Sequence, residues 1–494
     1  MMQILPLFVA IPLGAGFLIP LVGRKNPRLC DVLGNVTTLV LFLMALSVIG
    51  KSGVYWMGGW LPRAGIPIGI NLVLDSASVV MLITITLVSF LVTVYSIQYM
   101  DRFTSKSRFY SLFLLMVGGM LGVALTGDIF NLYVFLEIAS IASYALVAFG
   151  CQHEELEASF RYLVLGSVGS TLILLGIAIT YALTGNLNLA QISRVLAGNT
   201  QPLFFFALAL FIAGFGLKSA LIPFHSWLPD AHPSAPAPIS AMLSGVLIKT
   251  IGLYAMARIL FNAMGMTPLI STILLVLGTV SMVVGVLLAM GQDDIKRFLA
   301  YSSISQVGYI VLGFGLGTRL GIAAALFHLM NHAVFKSLLF LNAGAIEYST
   351  GTRDMNKMGA LRDKMPVTGA TSLIGSMSIA GIPPFSGFWS KLFIIIAAVQ
   401  AEKYGYAAWA TGVSILTLAA FMRMQRRTFF GEPKEAYASA HEVPVFMRIS
   451  MVGFAVLATL MGLLWLPQVK DGFFMPAAKA LQEGFEYATR VLGM

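Results

Sequence analysis

Charge is scarce in this chain. Of its 494 residues, 31 are Lys or Arg and 21 are Asp or Glu, about a tenth of the sequence, where a water-soluble globular domain carries roughly a quarter. A soluble enzyme is excluded on that ground. Cysteine is nearly absent too: Cys30 and Cys151 are the only two, so the chain alone builds no disulfide framework and no cysteine-ligated metal or iron–sulfur centre. Gly-rich phosphate loops, nucleotide fingerprints and a Ser-His-Asp arrangement are missing. No cofactor is expected on this chain, and any redox group belongs to a partner.

What is there is apolar. Residues of the apolar set make up 58% of the sequence, in runs of 18 or more that are long enough to cross about 30 Å of hydrocarbon at roughly 1.5 Å per helical residue. Charged and Gly/Pro breaks divide these runs into fourteen predicted helices, at 3–23, 30–50, 71–98, 109–126, 129–149, 160–184, 203–229, 239–262, 268–290, 298–316, 320–345, 366–401, 405–422 and 446–466. The fold class is an all-α polytopic membrane protein. The first run ends in Arg24 and Lys25 without a small-residue cleavage site, which predicts a retained helix and no signal peptide.

The net charge of +10 has a simpler source than nucleic acid, which is discarded as a partner. Lys and Arg in alternate loops divide 18 to 9, the richer side running from Arg24, Lys25 and Arg28 to Arg448. By the positive-inside rule that side is cytoplasmic, and both termini lie outside. Four lysines fall in no loop: Lys218, Lys249, Lys336 and Lys391 are inside predicted helices. Helices 203–229 and 366–401 carry internal prolines (Pro223; Pro383 and Pro384), which remove a donor and clash with the preceding turn, so both are predicted to break within the membrane. Helices 4–8 and 9–13 start from opposite sides, and each set has its broken, lysine-bearing helix in fourth place, the pattern of an inverted repeat. The divisions are 1–108, 109–262, 263–422 and 423–494. In the last, Leu481, Phe485, Ala488 and Leu492 recur at helical spacing and predict a surface helix on the membrane or a neighbouring subunit.

A charge at the centre of a membrane helix costs roughly 2.5–3.5 kcal/mol on insertion scales, so each one needs a reason. Glu137, about eight residues into helix 5, joins the four lysines to make one acid and four bases in the interior. Desolvation disfavours the charged form of a buried lysine and a nearby carboxylate favours it again, so moving the carboxylate switches proton affinity. Glu137 and Lys218 form the natural switching pair. Lys249, Lys336 and Lys391 are relay stations, with His328 and His332 between them; His328, His332 and Lys336 follow at intervals of four, on one helical face.

Blander readings compete. A lone membrane lysine can be a static salt bridge or snorkel to the interface, though five such groups together rarely do. His225 and His232 equally fit caps of the helix break. Arg161 reads as structural, Asp75 and Asp128 as helix caps, and His153 and His441 as loop residues without a role. A metal site is not expected, because His328 and His332 lack a third ligand.

Four stretches in order, GFGLKSALIPFHSWLPDAHPSAPAPISAMLSGVLIKTIGLYA (Gly214 to Ala255), DDIKRFLAYSSISQVGYI (Asp293 to Ile310), HLMNHAVFKSLLFL (His328 to Leu341) and AGIPPFSGFWSKL (Ala380 to Leu392), resemble the signatures of the antiporter-like subunits. These occur in respiratory complex I, in membrane-bound hydrogenases and in multisubunit Na+/H+ antiporters. The resemblance implies fourteen helices with two inverted five-helix repeats. It implies that Glu137 and Lys218 are the essential pair, that Lys249 and His332 are the central relay with Lys336 beside it, and that Lys391 is the terminal station. It also implies a prokaryotic cell membrane, partner membrane subunits in a hetero-oligomeric complex, and iron–sulfur, flavin or nickel–iron centres only in partners. DIFNLYVFLEI with ALTGNLNLAQIS resembles the D-type component of the antiporters, whereas HPSAPAPISAMLSG and HAVFKSLLFLNAGAIEYSTGTRDM resemble the hydrogenase-linked branch. The leading expectation is a proton-translocating subunit of a complex I-related oxidoreductase; the alternative is the D-type component of a multisubunit Na+/H+ antiporter without a redox partner. A lysine relay suits protons better than sodium, which wants oxygen ligands and would use a neighbouring subunit.

Overall fold

The computed structural model of the chain describes residues 2–23, 26–63, 65–103 and 105–493; Arg24 and Lys25 of the charge tally lie outside them. The principal elements are α1 (Leu7–Gly23), α2 (Pro27–Ser47), β1 (Gly53–Trp56), β2 (Asn71–Leu74), α3 (Ser76–Tyr99), α4 (Lys106–Leu125), α5 (Ile129–Val147), α6 (His153–Thr184), α7 (Leu189–Leu196), α8 (Pro202–Lys218) and α9 (Leu228–Ser234). They continue with α10 (Ala237–Ala263), α11 (Pro268–Met290), α12 (Ile295–Gly315), α13 (Arg319–Thr350), α14 (Pro366–Ala380), α15 (Ser386–Gln400), α16 (Tyr404–Phe430) and α17 (Val445–Trp465). Two short helices, α18 (Met475–Gln482) and α19 (Gly484–Leu492), close the chain. Among the described residues eleven helices are long and apolar enough to cross a membrane, and α1, α8 and α15 are shorter apolar helices.

Local chemistry explains where these helices begin. Asp75 accepts the backbone N–H of Ser78 at 2.9 Å and Asp128 that of Asn131 at 2.8 Å, as caps of α3 and α5. Close packing rests on missing side chains: a Cβ at Gly119 of α4 would meet the backbone of Phe135 and Ala139 in α5 at 2.7 Å, and one at Gly278 of α11 would meet Leu312 N in α12 at 2.7 Å. Both long proline-bearing helices are broken, between Lys218 and Leu228 and between Ala380 and Ser386.

Several expectations are corrected. Residues 71–74 are not helical but pair antiparallel with Gly53–Trp56; NLVL is too short for periodicity to decide between strand and helix, and the partner strand decides it. Helix α6 begins seven residues before its predicted start because His153, Glu154, Glu155 and Glu157 form a solvated, capped first two turns. The amphipathic α7 was not foreseen. The tail does not extend as one surface helix: it forms α18 and α19, whose Leu481, Tyr487, Ala488 and Leu492 are buried against the chain's own α7, α3 and α10. Asn262 Nδ2 donates to the carbonyls of Ala480 and Leu481 at 2.9 and 3.1 Å, fastening that fold-back.

Candidate functional site

Lys218 is the last residue of α8, where the helix stops and the chain turns through a left-handed Ala220 (φ 55°). Its ammonium is buried and lies 3.5 Å from Glu137 Oε1, 3.1 Å from Ser140 Oγ and 3.3 Å from the Tyr144 hydroxyl. Ser170 of α6 donates to the same carboxylate oxygen and to the Gly166 carbonyl. Three helices, α5, α6 and α8, thus converge on the predicted switching pair. The Glu137 side chain is 24% exposed and that of Lys218 only 2%, so the acid sits at the margin and the base within.

Lys249 is fully buried in a stretch of α10, Leu243–Tyr254, wound as a π-helix. Its ammonium donates to the carbonyl of Ser244, five residues earlier. Among the described residues no carboxylate pairs with it. Neither element, π winding nor the missing partner, was legible beforehand. The Ser244 hydroxyl meets that of Ser303 at 2.7 Å, and the neighbouring Ser302 receives the ammonium of Lys336. Two adjacent serines of α12 therefore face α10 through Ser244 and α13 through Lys336.

The three residues on one face of α13 are together as predicted. The rings of His328 and His332 have centroids 6.3 Å apart, and both are fully buried. His328 Nδ1 shares a 2.8 Å hydrogen bond with Ser390 Oγ, the residue before Lys391. Lys391 Nζ donates to the Ile379 carbonyl at 2.7 Å, spanning the break between α14 and α15, and lies 4.9 Å from the Tyr309 ring centre. A line of buried polar groups, interrupted at His332, thus runs from Lys249 to Lys391. His328 Nε2, both ring nitrogens of His332 and both amide atoms of Gln306 are buried along it without a hydrogen-bond partner among the described residues.

The remaining readings divide. Arg161 is structural: it pairs with Glu157 at 2.5 Å and Asp230 at 2.9 Å. His225 is half-buried with its ring 6.3 Å from that of Tyr301. His232 does not cap the break through its ring, since both nitrogens are buried without a hydrogen-bond partner among the described residues and the ring stacks on Phe340 at 4.5 Å. Lys296 falls in the loop between predicted helices 268–290 and 298–316, and the structure corrects that. It is 2% exposed, and its ammonium lies 2.7 Å from Glu347. Arg258, within predicted helix 239–262, is buried against Asp75 at 2.7 Å. No sequence signal marks these two, because their partners are 51 and 183 residues away. Among the described residues no three His, Cys, Asp or Glu side chains gather into a metal-binding group.

A family model described as NADH:quinone oxidoreductase/Mrp antiporter, TM, matches residues 126–417, and one described as NADH-Ubiquinone oxidoreductase (complex I), chain 5 N-terminus, matches residues 60–110. The N component of the NADH-quinone oxidoreductase of Desulforudis audaxviator is 35% identical over 89% of this chain and 88% of its own length. The D component of the Na+/H+ antiporter of Alkalihalophilus pseudofirmus is 35% identical over 93% of each. A chain in the structure of the membrane-bound sulfane sulfur reductase, an archaeal respiratory membrane complex, superposes with a TM-score of 0.90 at 32% identity, over 99% of this chain and all of that one. The buried lysine line and these matches converge: the chain belongs to the family of antiporter-like membrane subunits shared by NADH-quinone oxidoreductases, membrane-bound hydrogenases and multisubunit Na+/H+ antiporters.

Proposed function

We propose that this chain is the proton-translocating subunit of a complex I-related membrane oxidoreductase, of the NADH-quinone oxidoreductase or membrane-bound hydrogenase type, which couples electron transfer in its partners to ion transport. The observation that carries it is the buried line itself. Of four buried lysines only Lys218 has a carboxylate partner among the described residues, Glu137, and serine hydroxyls and imidazoles lie around the others. A static scaffold would avoid those insertion costs. Glu137 and Lys218 gate a half-channel; Lys249, His332 and Lys336 carry the proton along the middle, with His328 and His225 in support, and Lys391 is the last station. Water bridges the unpartnered atoms of His328, His332 and Gln306, since buried polar groups of this kind recruit it. The coupling centres, iron–sulfur, flavin or nickel–iron, sit in partner subunits.

The same reading extends to architecture. Fourteen helices cross the bilayer, with α8–α9 and α14–α15 each counted as one broken span. Residues 109–262 and 263–422 form two inverted repeats, flanked by 1–108 and 423–494. Support comes from the paired breaks, each with a lysine at its edge, and from the glycine-packed hairpins at Gly119 and Gly278, which open the two sets. Both termini face away from the cytoplasm of a prokaryotic cell. The exposed flank of α5 bearing Phe130, Val134 and Ile141 surrounds the margin where Glu137 emerges, and a neighbouring membrane subunit covers it, because lipid would leave that carboxylate unsolvated.

The test is transport in vesicles holding the assembled complex. Lys218→Ala is expected to abolish proton translocation while partner electron transfer partly survives; full pumping in that variant overturns the mechanism. The second reading, a component of an Na+/H+ antiporter without a redox partner, is favoured by the equal identity to the D component of such an antiporter over 93% of both lengths. Sodium-dependent pH changes without any electron donor would select it.

A further inference from the structure

The buried pair Lys296–Glu347 stands apart from the relay described above. Lys296 lies at the start of α12, and its ammonium donates to the carbonyls of Ala235 and Pro233, at 3.2 and 3.5 Å, where α9 ends. Glu347, near the end of α13, is 26% exposed and places Oε2 at 2.7 Å from that ammonium. The contact is an ion pair not aligned as a hydrogen bond, so Oε2 keeps its hydrogen-bonding capacity. A cavity of about 370 Å³ opens directly onto the pair, with Tyr99, Gln152, Glu154 and Arg353 around it. Arg353 also pairs with Glu347 Oε1 at 3.8 Å and with Asp294 at 3.3 Å, holding the mouth on the face where α6, α12 and α13 meet.

The inner side of the pair leads to the relay. His232 precedes Pro233, one of the carbonyls that hold Lys296. It is fully buried, with both ring nitrogens unpartnered among the described residues. Its ring lies on one side of Phe340 at 4.5 Å, and the Lys336 ammonium lies 5.7 Å from the centre of the same ring. A water-accessible carboxylate, a buried amine, a buried imidazole one residue from a carbonyl that the amine holds, and a relay lysine against the same phenyl ring are thus gathered in one region. A purely structural ion pair explains the first two members and leaves the cavity and the unpartnered imidazole without a reason.

We propose that Lys296–Glu347 is a proton inlet that loads the central relay through His232, separately from the Glu137–Lys218 pair. The proposal rests on the proton-translocating reading above. The Glu347 carboxylate takes a proton from water in the cavity, which leaves the Lys296 ammonium without its counter-charge. Lys296 passes one N–H proton, through water, to a free ring nitrogen of His232 and becomes a neutral amine. Glu347 then returns its acid proton to that amine and the ion pair reforms. One proton has moved from the aqueous face to His232, with every other group restored.

The experiment uses the assembled complex in vesicles, with proton transport and partner electron transfer measured together, and retention of partner subunits checked for every variant. Lys296→Arg keeps the charge and the ion pair, but a guanidinium does not give up its proton at any working pH. Lys296→Arg, Glu347→Gln and His232→Gln are each expected to lower proton transport at least tenfold. Wild-type transport in Lys296→Arg overturns the inlet, because it assigns the pair a structural role. Should Lys296→Arg not assemble, Glu347→Gln decides alone, and unchanged transport there overturns the proposal. Lys218→Ala separates the two levels: transport lost in Lys218→Ala but intact in Glu347→Gln removes the inlet only, whereas full transport in Lys218→Ala removes the translocation reading itself.

Discussion

The indole Nε1 of Trp227 donates to the carbonyl of Leu217 at 3.0 Å, so the residue that ends the break in the seventh predicted helix is tied to the residue just before Lys218. The same indole stacks on Tyr162 at 4.2 Å and 8°, and Tyr162 meets Tyr144 edge-on at 4.5 Å. Because the Tyr144 hydroxyl touches the Lys218 ammonium, three aromatic rings close a loop from the break back to the switching pair. Trp227→Phe keeps the stack and loses the N–H, and is expected to cost about 1 kcal/mol. Thermal unfolding in mild detergent checks it; an unchanged midpoint would mean the hydrogen bond is not holding the break.

Lys249 separates function from stability. A buried ammonium with a single carbonyl partner is a net cost, and methionine fills nearly the same volume without a charge. Lys249→Met is expected to raise the unfolding midpoint, by the equivalent of about 1–3 kcal/mol, while transport is abolished. A less stable variant would show that the lysine is structural.

Gly278 of α11 has no room for a side chain, since a Cβ there would approach Leu312 N at 2.7 Å and the Gly308 carbonyl at 2.9 Å. Backbone cannot yield as a side-chain tip does. Gly278→Ala is expected to cost about 1–3 kcal/mol and to lower the yield of assembled protein; wild-type yield and melting would contradict this packing.

Asp128 caps α5 from outside the spans. Burial pushes its carboxyl up to about 6, against the opposing pull of the backbone N–H groups of Asn131 and Phe130. A raised folded value means the folded state holds the proton more tightly, so that contribution is present below about pH 4 and is lost as pH rises through about 6. Asp128→Asn keeps an acceptor for the Asn131 N–H without the charge. It is expected to stabilise the protein at pH 8 by about 1–2 kcal/mol and to change little at pH 4. Melting curves at the two pH values test the sign.

The spans, both helix breaks and the five interior charges were legible because each depends on local physics. An apolar run must be long enough, a proline cannot donate, and a charge inside such a run stands out wherever the chain later folds. His328, His332 and Lys336 were legible as a set because one helix carries them at its own period.

Other features depend on which elements meet. Asn71–Leu74 became a strand only because Gly53–Trp56 lies alongside it. The tail turned inward because α7 and the end of α10 offer it a surface. Ser244 and Ser303, 59 residues apart, meet between the elements that carry Lys249 and Lys336, and Lys296 lies in the interior because Glu347 and the carbonyls of Pro233 and Ala235 receive it. The sequence by itself determined that this is a membrane chain of apolar helices with a few titratable groups buried in it, since hydrophobic length and the cost of charge act residue by residue. Only the tertiary structure decided the order in which those groups touch, because hydrogen bonds and ion pairs reach about 3 Å and answer to distance in space, whatever the separation along the chain.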